Sequence, residues 1–553
     1  MKSIVRLKKV PANNPMTTHI IKLIVILFTV RIVLCVNQRP NIILILADDL
    51  RPTIGKYGDQ LAFTPNLDRL IERSCYFTKA YSQQALCAPS RNSMLTSRRP
   101  DTLHLYDFYS YWRTFAGNFT TLPQYFKENG YYTYSVGKIF HPGVSSNFTD
   151  DYPFSWSEPT FHPSTERYMN QPVCPDGSGT LRTNLICPVK KFSQPEGTLP
   201  DIESKVEAKN FLAAFKNRSQ PFFLAVGFHK PHIPFRIPDK YFKLYPQTKF
   251  GNSTNWRQYG VPDVAWNPYT DIRKRHDVKQ LDIPFPYGPI PSAFGMSIKQ
   301  AYYASVSYID NLFGNLLSAV DLNNTIVVFA SDHGWSLGEH GEWAKYSNFE
   351  VALRVPLVVY APGITPRRID NIVELVDLFP TLVDLVNLPP IAKCKRFSKK
   401  KLCTEGNSLL PLLKGLSARW PDQAFSQYPR PGPIPRKNSD KPRLPKIRIM
   451  GYTVRKTDFR YTIWMRFYPR NFSSDWSQIF GEELYDHRFD SAENENLVDR
   501  REFKRIRLEL RSLLKKQFSF GASLGRPQRK KLSWREALLY EAYRPQILQP
   551  SYP

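Results

Sequence analysis

Three apolar runs in this chain share one format. Asn41–Ala47 (NIILILA) ends in Asp48-Asp49, Pro221–Phe228 (PFFLAVGF) ends in His229-Lys230-Pro231-His232, and Thr325–Ala330 (TIVVFA) ends in Ser331-Asp332-His333-Gly334. A fourth run, Val355–Gly363 (VPLVVYAPG), is of the same kind. Continuous branched aliphatics without polar alternation fit parallel strands covered on both faces. Helical patterns lie between them. TPNLDRLIERS has a threonine cap and an early proline, SIKQAYYASVSYIDNLFGNLLSAV is long and amphipathic, and NIVELVDLFPTLVDLVNL reads as a helix broken at Pro380. Strands alternating with helices predict an α/β fold whose large domain has a mostly parallel central sheet flanked by helices. Ligands collect at the carboxyl ends of such strands, so the aspartates and histidines at the three run ends are expected to converge.

After about Pro421 the texture changes. FSQYPRPGPIPRKNSDKPRLPK is rich in proline and basic residues and reads as a connection. IRIMGYTVRKTDFRYTIWMRF then alternates like antiparallel strands, and REFKRIRLELRSLLKKQF is helical in pattern. The expected division is a leader over residues 1–36, a large domain over 37–423, and a smaller α+β domain with an antiparallel sheet and a basic tail over 424–553.

The leader has four cations (Lys2, Arg6, Lys8, Lys9) before the apolar run Ile20–Val36, a secretory signal or an uncleaved anchor, since Lys22 and Arg31 interrupt it. No later stretch is long and apolar enough to span a bilayer. Six glycosylation sequons, at Asn118, Asn147, Asn217, Asn252, Asn323 and Asn471, support passage through the secretory pathway. The close pairs Cys174/Cys187 and Cys394/Cys403 each flank a short polar segment and suggest local disulfides. Cys35 leaves with the signal if it is cleaved, Cys75 suits a small buried position in RSCYFTKAY, and Cys87 is left for chemistry. Hydrophobic residues at 42% and aromatics at 14% exclude a disordered chain, and a formal charge of +28 points to anionic partners: sulfated glycan, nucleic acid or acidic lipid.

Asp48, Asp49, Asp332 and His333 offer hard oxygen ligands and one imidazole, a set that suits Ca²⁺ or Mg²⁺. Cys87 opens a helical stretch, and Arg91, Lys138, His141, His229 and Lys345 add positive charge and proton donors. A dication, several cations and a helix N-terminus together describe a site for a tetrahedral oxyanion such as sulfate or phosphate. Each residue alone has a plainer reading, as a turn, a cap or a solvated charge.

Cys87-Ala88-Pro89-Ser90-Arg91 resembles the C-x-P-S-R signature of type I sulfatases, and the resemblance extends with gaps from about Pro40 to Asp486 through SVGKIFHPG, FFLAVGFHKPHIPF, SDHGWSLGEHGEWAKYSNF and SQYPRP…NSDKP. It implies an alkaline-phosphatase-like fold and a sulfuric ester hydrolase whose Cys87 is oxidised to formylglycine by a formylglycine-generating enzyme. The hydrated aldehyde attacks sulfur with one hydroxyl, and the second expels sulfate. The same resemblance gives Asp48, Asp49, Cys87, Asp332 and His333 to one Ca²⁺. It gives Arg91 to orientation of residue 87, Lys138 and Lys345 to the sulfate oxygens, His141 to the diol and His229 to the leaving oxygen; Trp335 and His232 are candidate pocket walls. The substrate it implies is the 2-O-sulfate of non-reducing-terminal L-iduronate in heparan and dermatan sulfate, so the expected partner is a sulfated glycosaminoglycan and not nucleic acid, in the lysosome or outside the cell. One departure is Ser97, where the family has glycine in Leu-Thr-Gly-Arg. The rivals are a sulfatase for another sugar position or an aryl sulfate, and a catalytically silent glycan-binding protein. A phosphate-ester hydrolase would want serine or threonine at position 87.

Overall fold

The computed structural model describes residues 39–519, apart from 252–259, 396 and 417–418. The leader, Asn252 and the tail beyond 519 lie outside the described residues.

Seven strands build the main sheet: β1 (Asn41–Asp48), β2 (Cys75–Tyr81), β3 (Tyr132–Gly137), β4 (Phe222–Pro231), β5 (Thr325–Ser331), β6 (Arg354–Tyr360) and β7 (Arg367–Glu374), in the order β7-β2-β6-β5-β1-β4-β3. β1 lies at its heart, parallel to β4 and β5, with Ile42 opposite both Phe223 and Ile326. The fourth apolar run is a correction: β6 runs antiparallel to both β5 and β2. A run buried on both faces reports coverage, not direction.

Alternate β1 side chains serve two cores. Ile43, Ile45 and Ala47 pack with helices α1 (Pro65–Ile71), α3 (Pro200–Phe215) and α4 (Ser292–Leu317). Ile42, Leu44 and Leu46 pack with α2 (Cys87–Thr96) and α5 (Leu378–Leu385). Each such fully buried aliphatic contributes roughly 1.5–3 kcal/mol. NIVELVDLFPTLVDLVNL is not one helix. Its first residues complete β7, and α5 begins at Leu378, so Pro380 sits in the first turn, where a missing N–H costs nothing. The α1 cap also differs from expectation: Thr64 makes no capping bond, and Asp310 of α4 takes the backbone N–H groups of Asn66 and Leu67.

The second sheet is an antiparallel meander of β8 (Gln423–Arg430), β9 (Ile449–Lys456), β10 (Phe459–Tyr468) and β11 (Ser473–Asp486), covered by α6 (Lys504–Phe518) through Leu510, Leu514 and Phe518. FSQYPR is thus a strand and not a connection; Pro429 is tolerated because β8 is an edge strand. This sheet is bonded to the residues that follow β2, Gln427 N–H to Gln83 O at 2.9 Å and Ser426 Oγ to Ser82 O at 2.5 Å, and the described residues from Asn41 on form one unit.

Both expected disulfides form, Cys174–Cys187 and Cys394–Cys403, while Cys75 and Cys87 are buried free thiols. The five described sequon asparagines, Asn118, Asn147, Asn217, Asn323 and Asn471, are all exposed. No helix among the described residues is long and apolar enough to cross a membrane.

Candidate active site

The ends of β1, β3 and β5 and the start of α2 meet around Cys87. Asp48 closes β1, and Asp49 follows with φ 66°, a left-handed conformation that is costly for a non-glycine residue. The Asp49 N–H donates to Asp332 Oδ1 at 3.1 Å, and Tyr302 OH donates to Asp49 O at 2.8 Å; these bonds hold the strained turn. Lys138 follows β3, and its approach depends on Gly227 of β4, where a Cβ would lie 1.9 Å from Lys138 O. Lys345 stands between two left-handed residues, Ala344 (φ 67°) and Tyr346 (φ 77°).

Cys87 Sγ lies 3.0 Å from Lys345 Nζ, 3.3 Å from His333 Nε2, 3.4 Å from Asp48 Oδ1 and 3.9 Å from Lys138 Nζ. Lys138 pairs with Asp48 Oδ2 at 2.6 Å and Lys345 with Asp49 Oδ1 at 2.7 Å. Arg91 is wholly buried and holds two carboxylates, Asp332 Oδ2 at 2.8 Å and Asp48 Oδ1 at 3.1 Å, while also donating to the Lys138 and Ile139 carbonyls. His141 is buried against Phe108, its Nδ1 without a partner.

Burial sets the electrostatics. It opposes ionisation of Asp48, but Lys138 and Arg91 overcome it and hold that carboxyl well below its usual range. Burial lifts the Asp49 carboxyl to about 7, and the neighbouring Asp48 and Asp332 add to this. Burial, with Asp48 next, pushes the Cys87 thiol far up, so the unmodified cysteine is a protonated, poor nucleophile. Burial and Lys138 keep His141 neutral.

The donor set fits a hard dication. Single ligand atoms of Asp48, Asp49, Cys87 and His333 all lie within 4.8 Å of one another, Asp49 Oδ2 is buried without a hydrogen-bond partner, and Asp332 bonds from beside them. A second acidic group, Glu350, His487 and Glu493, is already neutralised by Arg455 and Arg460.

His229, expected at the leaving oxygen, is engaged by two carboxylates: its Nε2 is 3.2 Å from Glu166 and its Nδ1 3.4 Å from Asp201, and His162 lies 3.0 Å from Asp150 and 3.6 Å from Glu166. His232 is close enough for the charges of the centre to act on it. It is the most accessible of these side chains, its Nδ1 is 2.6 Å from Ile233 O, and it feels Lys345, Lys138 and Asp48. Burial, then the two lysines, hold it well below its usual range. Trp335 is buried with its ring stacked on Tyr302 and edge-on to Phe235, which leaves it no open face. Glu166, Asp201 and His162 carry no sequence signal of their own, because they come from loops and a helix start remote from the run ends.

This histidine–carboxylate cluster makes the fold acid-favouring. Burial opposes the charge on His229, but Glu166 and Asp201 raise it to about 9; His162 is likewise raised to about 10 by Asp150 and Glu166 against burial. Both values exceed the unfolded one, so the stabilisation is complete below about pH 6.5 and is lost as pH rises through 9 and 10. The melting temperature is expected to fall by several degrees between about pH 6 and about pH 9.5; a flat or rising profile contradicts this.

Ser97, in the glycine position, closes α2 with φ 51°. Its hydroxyl compensates by bonding Val376 O at 2.5 Å and Thr404 Oγ1 at 2.6 Å.

The family description "Sulfatase" matches residues 40–388. The chain is 50% identical over 504 residues to iduronate 2-sulfatase of Mus musculus, covering 83% of this chain and 91% of that protein, and 50% identical over 503 residues to the Homo sapiens enzyme, with the same coverage. Among solved structures, the phosphonate monoester hydrolase of Agrobacterium radiobacter superposes with a TM-score of 0.62 at 18% identity, over 87% of this chain and 95% of that one, a likeness of fold. A C-x-P-S-R cysteine ringed by lysines and metal-competent carboxylates, on this sheet and with these relatives, places the chain in the sulfatase family, enzymes that hydrolyse sulfate esters.

Proposed function

We propose that this sulfatase removes the 2-O-sulfate from non-reducing-terminal L-iduronate in heparan and dermatan sulfate. The observation that carries the reading is half-identity to iduronate 2-sulfatases over nine-tenths of their length. The catalytic part spans about 37–423, and the smaller domain follows. Cys87, converted by the formylglycine-generating enzyme in the secretory pathway, supplies a hydrated aldehyde as nucleophile, with a built-in exit for sulfate. Asp48, Asp49, Asp332, His333 and residue 87 would hold Ca²⁺, which supplies a Lewis acid for the sulfate oxygens.

The protein's own groups do the rest. Lys138 and Lys345, each within 3.9 Å of Cys87 Sγ, grip the sulfate oxygens, and Arg91 fixes the carboxylates that orient residue 87. The free Nδ1 of His141 is available to the hydrated residue. His232, not His229, is assigned the proton for the leaving sugar oxygen, through the Nε2 left over when Nδ1 donates to Ile233 O. Burial is the main cause of the low His232 pKa, and a bound sulfate between Lys138 and Lys345 offsets the two charges that add to it, which shifts the ring toward its protonated form as substrate binds. The enzyme works in the lysosome or outside the cell.

A panel of defined disaccharides tests the assignment. Release of sulfate from 2-O-sulfated terminal iduronate, at least about a hundredfold faster than from 6-O-sulfated glucosamine or an aryl sulfate, is the expected result. Preference for either of the others gives the chain to another sulfatase specificity.

A further inference from the structure

We infer that the disulfide-closed segment around Cys394–Cys403 is a second binding site, for an internal stretch of a sulfated polysaccharide, separate from the reaction centre. It rests on the proposed substrate class but uses none of the catalytic residues. The segment reads KCKRFSKKKLC from Lys393 to Cys403; the site proposed uses its five described cations, at positions 393, 395, 399, 400 and 401, since residue 396 lies outside the described residues. Lys395, Lys399, Lys400 and Lys401 are exposed. Among the described residues only Lys401 has a carboxylate in reach, Glu128 at 3.8 Å and itself half-exposed; none lies within ion-pair distance of Lys395, Lys399 or Lys400.

A run of lysines is by default a solvated face, but this one is held in place. The disulfide closes it, and Arg98, whose side chain is buried, donates to Ser398 O at 2.8 Å and to Lys400 O at 2.7 Å from beneath. Fixing the backbone under Lys399–Lys401 lowers the ordering cost of presenting three charges at once. The segment also borders a cavity of about 370 Å³ of mixed charge, lined by Lys393, Phe397 and Arg99, by the carboxylates of Asp101 and Glu405 and, from the end of α6, by Gln517 and Phe518, so the exposed lysines and not the cavity carry the anion contact.

The site is remote from the chemistry. Arg98 and Arg99 follow the C-terminal end of α2, whereas Cys87 opens it, and ten helical residues separate them by about 15 Å of protein. A terminal sugar in the reaction centre and an internal segment on these lysines are therefore independent contacts, and linking them raises the effective concentration of chain ends.

The test uses the full-length glycoprotein carrying Lys399→Ala, Lys400→Ala and Lys401→Ala, with Lys395→Ala/Lys400→Ala as a second variant. The control replaces three exposed lysines elsewhere, Lys216, Lys243 and Lys249, by alanine. Elution from immobilised heparin is expected at lower salt for both segment variants, with affinity for a long heparin chain weakened roughly ten- to a hundredfold, while the control elutes close to the parent. Turnover of a small sulfated disaccharide should be unchanged in all of them. Parent-like elution of the segment variants overturns the proposal, as does an equal loss in the control, which makes net charge the cause. Binding of phosphatidylserine vesicles by the segment with no loss on heparin also overturns it, in favour of a lipid surface. Repeating the elution with Cys87→Ala separates the two readings, because the second site must survive there even if the chain has no activity on any disaccharide.

Discussion

Replacing Cys87 by serine is expected to lower steady-state sulfate release by at least about a thousandfold while leaving the fold intact. The serine hydroxyl is nearly isosteric with the thiol and would sit among the same partners, Lys345, His333, Asp48 and Lys138. The cationic grip on sulfate is thus unchanged. What is lost is the second hydroxyl, because a serine oxygen that has attacked sulfur has no neighbour on its own carbon to expel the sulfate. The expected signature is a single turnover followed by arrest, with a peptide heavier by about 80 Da. Sustained turnover by the serine variant means that position 87 does not need the aldehyde. Unchanged parent-like melting with full arrest separates the chemical loss from a folding loss.

The second large effect belongs to Arg91. Its guanidinium is completely buried, pairs with Asp48 and Asp332, and donates to two further carbonyls. Among the described residues Arg91 is the only arginine or lysine paired with both carboxylates; Arg91→Ala leaves Asp48 with Lys138 alone and Asp332 buried without an arginine or lysine partner, a loss of about 3–5 kcal/mol in folding stability. Arg91→Lys keeps a charge but not the fork, so it should recover part of the stability and little of the activity. Denaturant unfolding of the two variants beside the parent checks the ordering. An alanine variant as stable as the parent means that the carboxylates are satisfied by something other than Arg91.

Much of this site was legible from run ends alone. Asp48-Asp49 and Asp332-His333 close two parallel strands that are neighbours in the sheet, so their side chains had to meet once the strands paired. The HKPH tetrapeptide was ambiguous for a physical reason: two histidines three residues apart at a bending strand end do not reveal which ring turns inward. Tertiary partners decide it. Glu166 and Asp201 hold His229, and the lysines of the centre act on His232. The direction of β6 and the Asp310 cap of α1 were hidden for the same reason, since both are set by neighbours far along the chain. NIVELVDL carries apolar residues that satisfy a strand as well as a helix, and only pairing with β2 settles it as β7.

The central claim is that Cys87 is a precursor whose oxidation makes the nucleophile. The most direct measurement is the mass of the proteolytic peptide containing Cys87, from protein secreted by a eukaryotic cell that matures other sulfatases. Conversion of thiol to aldehyde lowers that mass by about 18 Da, and a peptide so shifted is the predicted result. A peptide at the unmodified cysteine mass contradicts the account, leaves the site with a buried, protonated thiol, and makes a glycan-binding protein the reading to pursue.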